Sequence, residues 1–302
     1  PGDLVLVENP TYFVFLDVLR GFGVRAVSVP TKMDGEVDFT ALENLLERWK
    51  KSGKVKRLKM LYLVSYFSNP SSRSLSRETK TEYGRLFRKL GLLPRIIEDA
   101  AYRELFLEDP WPCPSIFSID SFESFDKIYL GTFDKSLASG LKVGFSLTND
   151  EDLLKRMLFA KGREDFGTSN FTQAVIEWIL SEGHWPQFLA RLRKGYAEKA
   201  ACAEDALQAS ALASLGWKWK KPAGGLYFWL RGPEGFDTSL HSPFFEECAQ
   251  RKVLYVPGDL CIAEGAPRQF VRLSYASLKK NLLPEAISRF AAAAERASEA
   301  GK

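Results

Sequence analysis

The sequence has 302 residues, of which 45% are hydrophobic and 26% are charged, and its formal net charge is +4. This length suffices for one large domain and a smaller one, and the composition is typical of a soluble globular protein. The charge is nearly balanced and no apolar run is long enough to cross a bilayer. We therefore expect neither a nucleic-acid partner nor a membrane partner.

Cysteine and histidine are too few and too scattered to predict a metal site. The chain has 2 histidines, and no Cys-x-x-Cys pair occurs among its four cysteines, Cys113, Cys202, Cys248 and Cys261. The same wide separation argues against a disulfide framework and favours a reducing compartment. We therefore predict no bound metal and a cytoplasmic location.

Strand and helix patterns alternate along the first part of the chain. Short buried strands are predicted over 4–7, 24–29, 58–64 and 95–98. Helices are predicted between them over 13–20, 39–49 and 76–90, with Asp38 as the N-cap of the second. Alternation at this spacing indicates an α/β domain with a mainly parallel sheet.

Polar side chains follow several of these strands at the point where each one ends. Tyr12 follows the first strand, Asn69 the third and Asp99 the fourth, and Lys135 follows the apolar run 128–130. Ligands of open parallel sheets bind outside the carboxyl ends of the strands. Singly, Asp99 could be a helix cap and Tyr12 an aromatic residue at the core edge. Their shared position predicts one site.

The stretch 131–144 is predicted to be a turn between two strands. It places Lys135 beside the hydroxyl residues Thr132 and Ser136, with a second cation, Lys142, seven residues further on. An amine with hydroxyls and a cation nearby suits a Schiff base to an aldehyde cofactor that carries a phosphate. The alternative interpretation of the same residues is an ordinary solvated lysine in a loop.

The second part of the chain predicts a smaller α+β domain. Helices are predicted over 150–161, 171–180 and 185–213, followed by a hairpin over 217–230 that turns at Gly224-Gly225. A helix over 244–251, strands over 253–256 and 270–275 and an alanine-rich terminal helix complete the pattern. We place the large domain at 1–184 and the small domain, with the inter-domain helix, at 185–302.

The strand-exit motifs together resemble the class I/II aminotransferases, which are pyridoxal-phosphate enzymes of fold type I. The resemblance runs from residue 1 to about residue 294. It is closest to the subgroup of 2-aminoadipate and aromatic aminotransferases and the transaminase-like domains of MocR regulators. Its motifs are Pro1-Gly2-Asp3 with Glu8-Asn9-Pro10-Thr11-Tyr12, Tyr62-Leu63-Val64 with Ser68-Asn69-Pro70-Ser71, Asp99-Ala100-Ala101-Tyr102, the stretch 131–144, and Val271-Arg272-Leu273-Ser274.

The resemblance implies a mainly parallel large domain, a smaller α+β domain and pyridoxal 5′-phosphate as cofactor. Lys135 is expected to bind the cofactor and to be the catalytic base. Asp99 is expected to pair with the ring nitrogen, Arg272 to bind the substrate's α-carboxylate, and Asn69 to contact both the ring and the substrate. The remaining cofactor contacts are expected from Tyr12, which stacks on the ring, Tyr102, which bonds its phenolic oxygen, and Thr132 and Lys142, which hold the phosphate.

Several positions depart from the family's pattern. Ser72 stands where a glycine is usual, Asp134 precedes the lysine where a small residue is common, and Lys142 replaces an arginine. The family's phosphate-binding loop precedes the Pro1-Gly2-Asp3 strand. We therefore expect the chain to be an N-terminally truncated member that binds the cofactor weakly, exposes apolar surface and tends to associate.

The resemblance implies transfer of an amino group between an L-amino acid and a 2-oxo acid, by a homodimer. Another fold-type I lyase or decarboxylase is an alternative, because it would use the same residues. A catalytically impaired cofactor-sensing or interaction module is a third possibility. The sequence does not identify the amino donor.

Overall fold

The computed structural model describes residues 1–32, 34–265 and 268–300. Its first sheet has six strands in the order β2-β1-β3-β4-β5-β6. The strands are β1 (Leu4–Val7), β2 (Arg25–Ser28), β3 (Leu58–Val64), β4 (Arg95–Asp99), β5 (Lys127–Thr132) and β6 (Gly144–Thr148). Neighbouring strands from β2 to β5 run parallel, and β6 pairs antiparallel with β5.

Helices cover both faces of this sheet. They are α1 (Phe13–Gly21), α2 (Phe39–Lys51), α3 (Arg77–Lys89), the single-turn α4 (Phe133–Ser136), α5 (Glu151–Glu164) and α6 (Asn170–Ser181). Leu42 of α2 and Phe87 of α3 are buried on one face, and Leu16 of α1 is buried on the other. This arrangement leaves the carboxyl ends of β1, β3, β4 and β5 at one common edge.

Side-chain caps explain where three of these helices begin. The Asp38 carboxylate accepts a hydrogen bond from the Ala41 amide, and Ser76 caps α3 through the Thr79 amide. Asp150 accepts from the Leu153 amide at the start of α5. Each cap satisfies a backbone donor that the first helical turn leaves unpaired.

The second sheet has three antiparallel strands in the order β7-β9-β8. It comprises β7 (Tyr227–Arg231), β8 (Val256–Pro257) and β9 (Phe270–Ser274), with helices α7 (Trp185–Ala209), α8 (Pro243–Gln250) and α9 (Leu283–Ala300). Trp217, Phe244 and Phe290 pack at the centre of its core with ring centroids 5.3–5.6 Å apart. The second core is therefore built as two layers, with helices packed against a short sheet.

Most predicted elements are confirmed, and four differ. The stretch 131–144 contains the short helix α4 rather than only a turn, and α7 ends at Ala209, before residue 213. The predicted hairpin over 217–230 is reduced to one bridge between Lys218 and Arg231. The strand predicted over 253–256 is shortened and shifted to β8, because only Val256 and Pro257 pair with β9 and Leu254 is exposed. Apolar character alone does not distinguish a paired strand from an extended loop on a core.

The Gly224-Gly225 turn packs tightly on the loop that follows β3. A Cβ atom on Gly224 would lie 2.5 Å from the Phe67 ring, and Gly225 has a φ of +80°. Glycine suits both positions, because Gly224 leaves room for the ring and Gly225 tolerates the left-handed backbone. The turn therefore brings the start of β7 against the Asn69 loop.

Large apolar side chains are exposed along β6, α5 and α6. They are Phe145, Leu147, Leu154, Leu158, Phe159, Phe171, Trp178 and Leu180. Over the described ranges, the helices include none with the length and hydropathy needed to cross a bilayer.

Candidate active site

Asp99 ends β4, and donors hold both of its carboxylate oxygens. The Tyr62 hydroxyl donates to Oδ2 at 2.6 Å, and the Ala101 amide donates to Oδ1 at 3.0 Å. Burial raises the pKa of Asp99, while these two hydrogen bonds act in the opposite direction because they favour the ionised form. The structure thus keeps a carboxylate at the sheet edge that is fixed in orientation and poorly hydrated.

Arg272 reaches from the second sheet to the edge of the first. Its Nη1 donates to Oδ1 of Asn69 at 2.7 Å, and Asn69 is buried. The guanidinium carbon lies 4.2 Å from the Tyr227 ring centroid and 5.5 Å from that of Phe13. Its Nε is buried without a hydrogen-bond partner among the described residues. A buried, unpaired guanidinium donor is a site at which an anionic group would bind favourably.

Three tyrosines, Tyr12, Tyr102 and Tyr227, lie near Asp99 and Arg272. The hydroxyls of Tyr102 and Tyr227 lie 3.3 Å apart, and the two rings pack edge to face. Burial raises the pKa of Tyr12 most, the nearby Tyr227 and Asp99 raise it further, and Arg272 lowers it. Asp99 and Arg272 therefore both lie close enough to Tyr12 to act on its phenol.

Lys135 lies in α4, immediately after β5. The Thr132 hydroxyl caps this turn, accepting from the Asp134 amide at 3.1 Å and donating to the Val143 carbonyl at 3.3 Å. Lys135 is partly buried, and within the described part of the chain it has no hydrogen-bond or ion-pair partner. A partly buried amine that other side chains leave unengaged is available to a carbonyl carbon.

The predicted phosphate contacts are arranged differently from the ring contacts. Lys142 is three-quarters exposed and lies 3.6 Å from Oδ2 of Asp134. Its backbone has a φ of +55°. The Thr132 hydroxyl is occupied by backbone partners, as described above. The structure therefore brings Tyr12, Asn69, Asp99, Tyr102 and Arg272 together, whereas Lys142 is paired at the surface.

These residues fit the ring and substrate ends of pyridoxal phosphate. Asp99 offers an oriented anion for a protonated ring nitrogen, Lys135 offers an amine for the aldehyde, and Arg272 has a buried donor without a partner in the described part of the chain. Within the described residues, no group of three His, Cys, Asp or Glu side chains is arranged to hold a metal ion.

Sequence reasoning missed two residues of this site. Tyr62 belongs to the apolar run Leu61–Val64, and that pattern assigns it no role beyond the strand β3. Tyr227 follows the Gly-Gly turn, and nothing in its neighbours along the sequence indicates the contact with Arg272. A tyrosine close to the end of a buried strand is a signal that could have identified them. Its phenol needs a hydrogen-bond partner when buried, and polar groups lie at that end of the sheet.

Comparisons with known proteins agree with the fold. The 2-aminoadipate transaminase of Thermus thermophilus is 30% identical over 289 residues, which are 95% of this chain and 68% of that protein. The solved structure of alpha-aminoadipate aminotransferase LysN from Thermus thermophilus, complexed with N-(5′-phosphopyridoxyl)-L-leucine, has a TM-score of 0.84 and 29% identity. That match covers 99% of this chain and 72% of LysN. The uncharacterised HTH-type transcriptional regulator YisV of Bacillus subtilis is 30% identical over 97% of this chain and 56% of its own length.

The fold is that of the pyridoxal-phosphate enzymes of fold type I. The family model described as aminotransferase class I and II matches residues 1–290, and the chain belongs to this family. It is therefore an aminotransferase, pyridoxal 5′-phosphate is its cofactor, and its substrates are amino acids and 2-oxo acids.

Proposed function

We propose that this chain transfers amino groups through Lys135, with Asp99, Asn69, Tyr12 and Tyr102 holding the cofactor ring and Arg272 binding the substrate's α-carboxylate. The hydrogen bond between Arg272 and Asn69 carries this proposal, because it brings the predicted carboxylate-binding residue of one sheet to the predicted ring contact of the other.

Pyridoxal phosphate, when bound, supplies an aldehyde that takes up the amino group and a ring that withdraws electrons from the substrate's Cα. Lys135 Nζ would hold the cofactor through its aldehyde and, once free, would be the base that accepts and returns the substrate's Cα proton. The Asp99 carboxylate would pair with the ring nitrogen and favour its protonated form. Arg272 donates two parallel hydrogen bonds to the α-carboxylate and so orients the Cα–H bond.

Thr132 and Lys142 are proposed to hold the phosphate after rearrangement. Lys142 must turn from Asp134, which is 3.6 Å away, towards the cofactor, and its own side chain is free to do so because it is three-quarters exposed. The Thr132 hydroxyl can rotate its proton towards a phosphate oxygen while it still accepts from the Asp134 amide.

Assembly and location belong to the same proposal. We propose a homodimer in which the exposed apolar side chains of β6, α5 and α6 contact a second copy. A cytoplasmic location is supported by the four cysteines, which are all free thiols. We also place the boundary between the large and small domains at 184/185, just before α7 begins.

The test is reduction of the cofactor-loaded protein with borohydride, followed by peptide mapping. The label is expected on Lys135 and should be lost in Lys135→Ala, whereas Lys142→Ala should retain it. A label on another lysine would contradict the assignment. Turnover is measured with 2-aminoadipate and with aromatic amino acids, and release of ammonia or CO2 without a 2-oxo acid would indicate a lyase or decarboxylase instead.

A second candidate is a cofactor-sensing module. It is motivated by the similarity to YisV, of which this chain covers 56%. Such a module would bind the cofactor on Lys135 and change its absorbance with an amino acid, but would show no multiple turnover with any 2-oxo acid.

A further inference from the structure

A tyrosine on β3 is hydrogen-bonded to the carboxylate that ends β4. The Tyr62 hydroxyl donates to Oδ2 of Asp99 at 2.6 Å, while the Ala101 amide donates to Oδ1. Val64 pairs with Asp99 across the parallel strands, so Tyr62, two residues earlier on β3, lies on the same face as Val64. The backbone amide two residues further along thus fixes Oδ1, and a side chain of the neighbouring strand fixes Oδ2.

The Tyr62 ring is itself held in place. Its side chain is 1% exposed, and the Phe15 ring stacks on it with centroids 3.9 Å apart and an interplanar angle of 22°. Phe15 lies in α1, the helix that begins directly after Tyr12. The stack leaves the phenol little rotational freedom, so the hydroxyl is directed at Asp99 without further loss of side-chain entropy.

We propose that Tyr62 is a positioning residue for amino-group transfer, whose hydroxyl orients the Asp99 carboxylate and keeps it ionised. The inference rests on the proposed role of Asp99 as partner of the ring nitrogen. Tyr62 itself acts only through Asp99.

The electrostatics of the pair support this role. Burial raises the pKa of Asp99, and the hydrogen bond from Tyr62 is the largest influence that lowers it. Burial and the neighbouring Asp99 raise the pKa of Tyr62 well above its ordinary value, so the phenol is protonated and can donate at neutral pH. Without the hydroxyl, only the hydrogen bond from the Ala101 amide opposes the effect of burial. The pKa of Asp99 should therefore rise.

The test compares Tyr62→Phe with a matched control, Tyr66→Phe. Tyr66 is equally buried, but its hydroxyl donates to the Cys113 carbonyl and accepts from Lys80 rather than contacting Asp99. In cofactor-free protein, ¹³C NMR of the aspartate carboxyls should show the Asp99 titration at higher pH in Tyr62→Phe and unmoved in Tyr66→Phe. Asp99→Asn identifies the resonance.

The loaded enzyme supplies a second readout. Tyr62→Phe should lower kcat about tenfold, which is the scale of one hydrogen bond to a charged group, and move the acid limb of the rate profile to higher pH. The KM for the amino acid should hardly change, because Arg272 and Asn69 are untouched. In the Asp99→Asn background, removing the Tyr62 hydroxyl should cause no further loss.

An unmoved Asp99 titration in folded Tyr62→Phe would overturn the inference, even if the enzyme binds its cofactor normally. An equal loss of kcat in the Asp99→Asn background would also overturn it. If Tyr62→Phe does not fold, Phe15→Leu is used instead, because it removes the stacked ring and keeps the Tyr62 hydroxyl. It should move the Asp99 titration to higher pH by less than Tyr62→Phe would. Failure of Asp99→Asn to impair turnover would refute the role of Asp99, while the NMR titration would still report whether the two residues are coupled.

Discussion

Nη1 of Arg272 lies 2.7 Å from Oδ1 of Asn69, although 203 residues separate them in the sequence. The contact joins the three-stranded sheet to the loop that follows β3. It also leaves Nε of Arg272 buried and unpaired within the described structure. Asn69 therefore holds Nη1 of Arg272, while Nε remains available to donate to a ligand.

Arg272→Lys should weaken binding of amino acids and 2-oxo acids. Lysine keeps the charge but loses the planar fork, so we expect binding of the amino acid to weaken by about 2 kcal/mol, which raises KM roughly thirtyfold. Steady-state kinetics with an amino acid and with the matching simple amine measure the effect. Arg231→Lys, on the neighbouring strand β7, is the control and should leave KM unchanged. Equal use of the amine and the amino acid by the wild type would contradict the assignment.

Asp99→Asn should retain cofactor and lose turnover. The amide preserves the shape and can still accept from Tyr62, but it carries no charge to keep the ring nitrogen protonated. We expect kcat to fall about a hundredfold or more, which is the scale of removing one preorganised electrostatic contact. Absorbance titration measures the bound cofactor separately from the rate. Near wild-type transamination by this variant would show that Asp99 is structural.

Ser72 links the Asn69 loop to the second sheet. Its φ is +54°, and its hydroxyl donates to the Tyr227 carbonyl at 2.7 Å. Ser72→Ala loses the hydrogen bond and keeps the strained backbone, so it should destabilise the fold by about 1 kcal/mol. Ser72→Gly loses the same bond but relieves the backbone, so its free energy of unfolding should stay close to that of the wild type. Denaturant unfolding distinguishes them, and a greater loss in the glycine variant would refute this reasoning.

Glu8 should make the stability of the protein depend on pH. The Val64 amide donates to its carboxylate, and burial raises the pKa of Glu8 from 4.5 to about 8. The folded pKa lies above the unfolded one, so the protonated form favours folding. Its contribution is fully present below pH 4.5 and is lost as the pH rises towards 8.

The free energy of unfolding should therefore fall between these two pH values, with a slope of at most about 1.4 kcal/mol per pH unit from this group. Glu8→Gln keeps an acceptor for the Val64 amide and should remove this part of the slope. Glu47→Gln, at an exposed position on α2, should leave it intact. A slope that persists unchanged in Glu8→Gln would assign the pH dependence to other groups.

Local patterns in the sequence were sufficient for most of the large sheet. Asp38 and Ser76 predicted two helix starts, and the run 58–64 matched β3 at both ends. These features depend on hydrogen bonds between residues a few positions apart and on the spacing of apolar side chains. Both can be recognised in the sequence itself. The alternation of strands with helices, which indicates a parallel sheet, also predicted that Tyr12, Asn69, Asp99 and Lys135 lie at one edge of that sheet.

Tertiary structure alone decided which partners these residues have. In the sequence Tyr62 is one more apolar residue of β3, and its role depends on the register that sets Val64 opposite Asp99. The sequence predicts Lys142 at the phosphate, but the fold turns it towards Asp134. Such pairings depend on how strands and sheets dock across long separations, because a hydrogen bond needs its atoms within about 3 Å and sequence periodicity does not specify that distance.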